Sequence, residues 1–435
     1  MLIIRRFGIS AILVFIIQSV DAQFLMDMID TSKNVGRGIL DIYSHYDRLR
    51  LSGYIQPQFQ LASEKGAASF EGGDFAPKSN NRFMLRRSRI RVDYIRANED
   101  ERFAMQFVFQ FDATERGVYV RDVWARIFEN RFKKFSLTTG VFARPFGYEL
   151  NLSSADRETP ERGRMSQTLM KTERDIGAMI SFEPRDTKDP LRYFKLDAGI
   201  FNGQGVNAST DYDSYKDFIS RLSLKPLSIT DRISISAGAS LLSGGIYQNS
   251  KYSYRMGTDN GVKSFVADSN INNIGNKLPR QYYGADCQLK IKHGWGATVI
   301  RGEYWWGRQT GSAFSSETPA SLLPLGEAYF ERNFNGAFVY LLQNIINEKH
   351  QLGLKYDWYD PNTGIAGKEL ENGSAHFGPA DIKYSTLNMG YNHYVNENLK
   401  FMFWYAMVKN EKTRLTGYTS DLHDNIFTCR LQYKF

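Results

Sequence analysis

The sequence predicts an all-β chain, a 16-stranded antiparallel transmembrane β-barrel with short periplasmic turns and long extracellular loops. Three observations carry that prediction. Segments of strict apolar and polar alternation recur along the chain, and the last of them, 425–435, runs to the final Phe435. The connections between segments alternate between long and short. The mean hydropathy is -0.42, yet the chain carries 30 Phe, 25 Tyr and 36 Gly against only 12 Pro and 2 Cys. A membrane barrel hides its apolar surface in alternation, so a polar average agrees with lipid on one face and water on the other.

Arg5 and Arg6 precede an apolar run from Phe7 to Val20, and Val20-Asp21-Ala22 follows before Gln23. This pattern is that of a signal peptide over 1–22. The run is too short to cross hydrocarbon, which takes about 20 apolar residues. Residues 23–49 do not alternate: Leu25, Met28, Val35, Ile39, Ile42, Tyr46 and Leu49 recur at heptad-like spacing. Gly36 and Gly38 weaken that stripe, so a short periplasmic helix and an irregular leader both remain open for this N-terminal segment.

The barrel is expected over 50–435. Its segments fall near 50–61, 82–96, 102–112, 118–128, 135–143, 175–182, 192–201, 217–225, 232–241, 280–291, 296–306, 334–343, 349–359, 382–394, 398–409 and 425–435. The third is the clearest, with Phe103, Met105, Phe107, Phe109 and Phe111 opposite Gln106, Gln110 and Asp112. Connections after odd-numbered segments are mostly long, 144–174, 242–279 and 307–333 among them. Those after even-numbered segments are short. That parity places the long ones on one side and both termini, with the short turns, on the periplasmic side. Sixteen strands enclose a lumen too wide for their own side chains to fill.

With faces assigned by alternation, fifteen basic residues line the lumen: Arg50, Arg87, Arg89, Arg91, Arg102, Arg126, Lys195, Arg221, Lys225, Lys290, Arg301, Lys355, Lys400, Arg430 and Lys434. Eight acids stand against them: Asp93, Asp112, Asp122, Asp175, Asp197, Asp286, Glu303 and Asp357. The excess, fifteen minus eight, equals the net charge of +7 left when 1–22 is removed from a chain of +8. Arg87, Arg89 and Arg91 project from one face about 7 Å apart, a ladder of guanidiniums suited to anions. Arg126, Arg221 and Lys225 are further candidate anion contacts. The opposing reading is that these cations pair with wall carboxylates and hold the wall together.

The long connection 144–174 is the candidate constriction, since a loop of this length usually carries a function or its own packing. Its six basic residues, Arg144, Arg157, Arg162, Arg164, Lys171 and Arg174, balance six acids when the count runs on to Asp175: Glu149, Asp156, Glu158, Glu161, Glu173 and Asp175. Cys287 and Cys429 fall on the apolar face of separate strands, and the six histidines have no ligand spacing, so no disulfide, metal, cofactor or catalytic residue is expected. Glu303, Tyr304, Trp305 and Trp306 end near loop 307–333, and their aromatics read first as an interfacial girdle, with sugar or partner binding as the alternative.

Gly53-Tyr-Ile-Gln-Pro-Gln-Phe-Gln60, the arginine-rich second segment, Gly140-Val-Phe-Ala-Arg-Pro-Phe-Gly-Tyr148, Ser153-Ser-Ala-Asp-Arg-Glu158, Pro160-Glu-Arg162, Glu173-Arg-Asp-Ile-Gly-Ala178 and Phe201-Asn-Gly-Gln-Gly205 resemble the phosphate-selective porin O and P family. The resemblance is strong between 50 and 225 and looser in the long loops after 242. It implies a sixteen-stranded homotrimeric porin of a Gram-negative outer membrane, an arginine ladder matching Arg87, Arg89 and Arg91, and an inward third loop. The expected function is passive diffusion of small anionic solutes, phosphate or polyphosphate among them, with lipid but no nucleic acid as a partner. The rivals are a weakly selective porin and a receptor that recognises its partner through loops 242–279 and 307–333.

Overall fold

The computed structural model describes residues 48–435 apart from 97–101, 209, 260 and 374. The expected signal peptide, and all but the last two residues of the 23–49 segment, lie outside the described residues. The strands are β1 (Leu49–Ala62), β2 (Asn81–Arg96), β3 (Phe103–Thr114), β4 (Gly117–Glu129), β5 (Phe135–Ala143), β6 (Arg174–Phe182), β7 (Phe194–Phe201), β8 (Asp217–Ser228) and β9 (Ile233–Tyr247). They continue with β10 (Ser253–Asp259), β11 (Val262–Asp268), β12 (Lys277–His293), β13 (Gly296–Gly311), β14 (Tyr329–Ile345), β15 (Asn347–Asp360), β16 (Tyr384–Tyr394), β17 (Leu399–Asn410) and β18 (Ile426–Lys434).

Sixteen of these, β1–β9 and β12–β18, make a closed antiparallel barrel. Each pairs with its chain neighbour, β9 pairs directly with β12, and β18 returns to β1 with Arg430 opposite Gln58. Closure leaves no unpaired edge in lipid, where unsatisfied backbone groups are costly. The remaining two strands are a correction. Residues 253–268, expected to be loop, form the hairpin β10–β11, and β10 also runs parallel to the start of β14.

Burial is inverted relative to a soluble domain. Phe103, Met105, Phe107, Phe109 and Phe111 on the outer face of β3 are 37–49% exposed. Gln56, Gln58, Gln60, Thr428, Arg430 and Gln432 on the inner faces of β1 and β18 are buried. Period-two alternation produces this directly: side chains that read apolar meet the outside, and polar ones meet the interior. Cys287 and Cys429 are both free.

The interior is partly filled. The connection between β5 and β6 enters the barrel and carries α1 (Arg164–Leu169). Its Phe146, Leu150, Met165, Leu169 and Met170 pack with Phe142, Met179, Phe201, Ile219, Leu242, Tyr282, Trp305, Phe334 and Tyr359 of the wall. An apolar core therefore sits inside a polar-walled barrel. It holds the loop against the wall from β5 through β15, and the cavities left beside the loop are lined on the wall side mainly by β2–β4.

Candidate functional site: the lumen and its inward loop

The loop is fixed where it leaves β5. Phe146 is fully buried and meets Trp305 edge-on at 4.8 Å. Gly147 has φ +66°, and a Cβ there would overlap Glu303 Oε1. That carboxylate accepts from Tyr148 N at 2.9 Å, Glu149 N at 2.8 Å and Trp305 Nε1 at 2.6 Å. Glu149 in turn accepts from Tyr340 Oη at 3.0 Å, Ser166 Oγ at 2.6 Å and Gly163 N at 3.0 Å, tying the start of the loop to its helix. Farther on, Ser154 Oγ lies 2.6 Å from Tyr54 Oη and accepts from Arg89 at 2.7 Å. Gln432 donates to Ala155 O at 2.8 Å and Lys400 to Arg157 O at 2.8 Å.

Two loop carboxylates are each held by three guanidiniums. Glu161 pairs with Arg86 at 2.9 Å, Arg87 at 2.7 Å and Arg430 at 2.8 Å. Glu173 pairs with Arg162 at 3.0 Å and with Arg121 and Arg174. Burial alone would raise the Glu161 carboxyl, but Arg86, Arg87 and Arg430 outweigh it and hold it well below the usual carboxylate range. Against the same burial, Arg121, Arg162 and Arg174 hold Glu173 well below that range. Arg89 pairs with Asp112 at 2.8 Å and Arg174 with Asp122 at 3.1 Å. The wall and loop thus place seven arginines (86, 87, 89, 121, 162, 174, 430) against four carboxylates (112, 122, 161, 173).

Two cavities border this cluster. One, of about 670 Å³, lies toward the long connections and is lined by Arg86, Arg87, Arg89, Arg121, Arg162, Lys171 and Arg174, with Asp74, Asp112, Glu161, Glu173 and Glu317. The other, of about 350 Å³, lies toward the short turns and is lined by Arg89, Arg91, Arg121, Arg174, Glu173, Asp156 and Lys434 among others. They share Arg89, Arg121, Glu173 and Arg174. Three guanidiniums and one carboxylate therefore stand where the cavities meet.

The ladder residues follow this path in order: Arg87 borders the first cavity, Arg89 both, Arg91 the second. Each is ion-paired, Arg91 with Asp93 at 2.7 Å. Of the loop residues, Arg162, Lys171 and Arg174 reach the first cavity. Arg157 is buried under the loop, and Arg164 is stacked between Tyr384 at 3.6 Å and Phe70 at 4.3 Å. Arg144 donates to Thr172 O. Arg126, Arg221 and Lys225 stand apart from the cluster. Arg126 bonds Thr138 at 2.7 Å and lies over Trp124, Arg221 pairs with Asp286 at 2.6 Å, and Lys225 pairs with Glu183 at 2.8 Å.

Alternation misses two members of the site. Arg121 would face outward by strict period two, but the β3–β4 register shifts there: Gln110 pairs Asp122 while Phe111 pairs Val120. Arg121 is the extra residue of a β-bulge, which re-aims its side chain. An arginine in the lipid belt would be costly, and that cost was the available signal. Arg86 also turns inward onto Glu161, at a point where β2 is not yet paired with β3, whose ladder begins at Ser88. Glu303 and Trp305, alternating with the outward Tyr304 and Trp306, are the loop anchor.

Residues 347–435 match the model of the family described as phosphate-selective porin O and P. The match covers β15–β18, whereas the residues that carry the sequence resemblance lie between 53 and 205. No curated protein matches the chain. Among solved structures, OprB of Pseudomonas putida superposes with a TM-score of 0.58 at 8% identity over 92% of this chain and 96% of that one. The outer membrane channel DcaP of Acinetobacter baumannii gives 0.52 at 12% identity, over 89% and 97%. OmpT, an outer membrane protein of Vibrio cholerae in its trimer form, gives 0.50 at 10% identity, over 89% and 99%. At these identities the likeness is one of fold. The chain is thus an outer-membrane porin in fold, and its last four strands carry the sequence pattern of the phosphate-selective porin O and P family.

Proposed function

We propose that this protein is a passive diffusion channel of the outer membrane with a moderate preference for anions. The observation that supports this most is the junction of the two cavities at Arg89, Arg121 and Arg174, with Glu173 as the one shared carboxylate. The first cavity carries seven basic and five acidic side chains, an excess of two. That excess is too small for strict exclusion of cations. A passing anion competes with Glu161, Asp112 and Asp93 for the ladder, so each site is weak and several act in series, as conduction requires. Inorganic phosphate is one solute of this kind, along with other small anions. Transport of this type needs no nucleophile or general base, and no enzymatic role is proposed.

The long connections face outward and both termini face the periplasm in this reading. Loop 144–173 acts as the constriction. A homotrimer is part of the proposal, from the family resemblance and the trimer form of the similarly folded Vibrio cholerae protein. Replacing Arg87, Arg89 and Arg91 together by Gln tests the role of the ladder. Reversal potentials in planar bilayers should move toward cations; an unchanged potential would make the ladder a wall brace alone.

A further inference from the structure

A groove of about 650 Å³ lies on the outside of the barrel, at the ends of β12, β13 and β14 nearest the long connections. Its floor is aromatic. Trp306 stacks on Tyr283, with ring centroids 5.8 Å apart, and on Tyr304 at 5.4 Å. All three rings are 40–42% exposed and face away from the lumen. Eleven residues separate Trp306 from Trp295, which is exposed beside a short turn. On a strand tilted about 40° that is about 28 Å, close to the height of a lipid-facing band. The groove therefore stands at one edge of the hydrocarbon and Trp295 at the other.

An interfacial girdle accounts for the rings. It does not account for the polar groups set beside them. Gln281, Asn333, Asn335, Thr363 and Arg308 share the lining with the rings, and no carboxylate is among the lining residues. Asn335 Oδ1 accepts from Trp358 Nε1 at 3.2 Å, while Gln281 and Asn333 are exposed. Arg308 lies two residues beyond Trp306, at the level of lipid headgroups, and its guanidinium is 4.0 Å from Glu331. Arg255 already pairs with that carboxylate at 2.7 Å, so two guanidiniums share one acid. A stacked aromatic floor offers its electron-rich faces to the C–H face of a sugar ring. Amides beside it can bond hydroxyls, and a half-exposed guanidinium can grip a phosphate with two parallel N–H bonds.

We propose that this groove binds the headgroup of a phosphorylated glycolipid of the surrounding leaflet. The sugar lies on Trp306 and Tyr283, the phosphate on Arg308, and the acyl chains run down the wall past the exposed Ile300, Val339 and Leu341. A glycerophospholipid offers Arg308 the same phosphate but has no sugar ring for the aromatic floor. Placing this lipid in the outer leaflet rests on the orientation given with the channel reading, long connections outward.

The test is titration of the intact barrel, in a detergent without a sugar headgroup, with lipid A, a phosphorylated disaccharide lipid, and bound lipid is read by native mass spectrometry. Phosphatidylglycerol supplies the phosphate without sugar rings, and digalactosyldiacylglycerol the rings without charge. Lipid A should bind at least fivefold more tightly than either. One basic residue at a lipid surface accounts for about fivefold in affinity, so Arg308→Gln should bring lipid A close to the galactolipid. Trp306→Leu keeps the wall apolar and should bring lipid A close to phosphatidylglycerol. Equal binding of lipid A and phosphatidylglycerol, or lipid A affinity unchanged by both substitutions, overturns the proposal. Mass spectrometry and current separate the two readings: a barrel that prefers anions but does not select lipid A keeps the channel and loses the groove, and the reverse result keeps the groove and loses the channel.

Discussion

Glu173 is the carboxylate whose removal should change permeation most. It borders both cavities, it is held by Arg121, Arg162 and Arg174, and its side chain is 12% exposed. Glu173→Gln keeps the shape and deletes one negative charge, so the first cavity passes from seven basic against five acidic groups to seven against four. A unit charge about 4 Å from a passing ion contributes about 1 kcal/mol in a water-like medium. Screening at about 0.1 M salt leaves about 0.7 kcal/mol. The term favours anions and opposes cations equally, so the anion-to-cation permeability ratio should rise by about 1.4 kcal/mol, or about tenfold. The assay is the reversal potential across a KCl gradient in a planar bilayer, compared with the unsubstituted barrel. A potential that stays put, or moves toward cations, means that ions do not pass Glu173. A large rise in conductance without a shift means that the loop has left the wall, which equally refutes the assigned path.

Glu161→Gln should act first on stability, although it also removes one negative charge from the first cavity. It strands Arg86, Arg87 and Arg430 in a buried site, and breaking such a pair from one side costs about 3–5 kcal/mol, read as a lower unfolding midpoint in denaturant. Because the Glu161 carboxyl is held well below its ordinary value, its contribution is complete above the unfolded value and is lost only as pH falls through the lower folded one. Glu71 behaves oppositely. Burial pushes its carboxyl up to about 7, so the folded state takes up a proton that the unfolded state lacks, and the seat of loop 63–80 weakens as pH rises from about 4.5 to 7. Hydrogen-exchange protection of that loop should fall over this window and become flat in Glu71→Gln; a flat wild-type profile contradicts it.

The strands were legible because period two is local. The segment 135–143 coincides with β5, and 217–225 opens on the first residue of β8. The hairpin β10–β11 was not, because Ser253–Arg255 pairs with Tyr329–Glu331 of β14 as well as with β11, and nothing near in sequence announces that contact. The wall cations were also legible as a set. Their partners were not: Glu161 meets Arg430 across 269 positions, and the two readings of the ladder, anion path and wall brace, share the same residues. Arg87, Arg89 and Arg91 border the cavities while each pairs with a carboxylate. Arg121 escaped because a bulge changes which face a residue occupies without changing its neighbours in sequence.

The measurement that bears most directly on the central claim is the reversal potential of the unsubstituted protein in a planar bilayer across a KCl gradient, repeated with inorganic phosphate on the side of the long connections. An arginine-rich junction predicts a potential on the chloride side of zero and a current reduced by added phosphate. A potential at zero or on the potassium side would contradict an anion-preferring lumen.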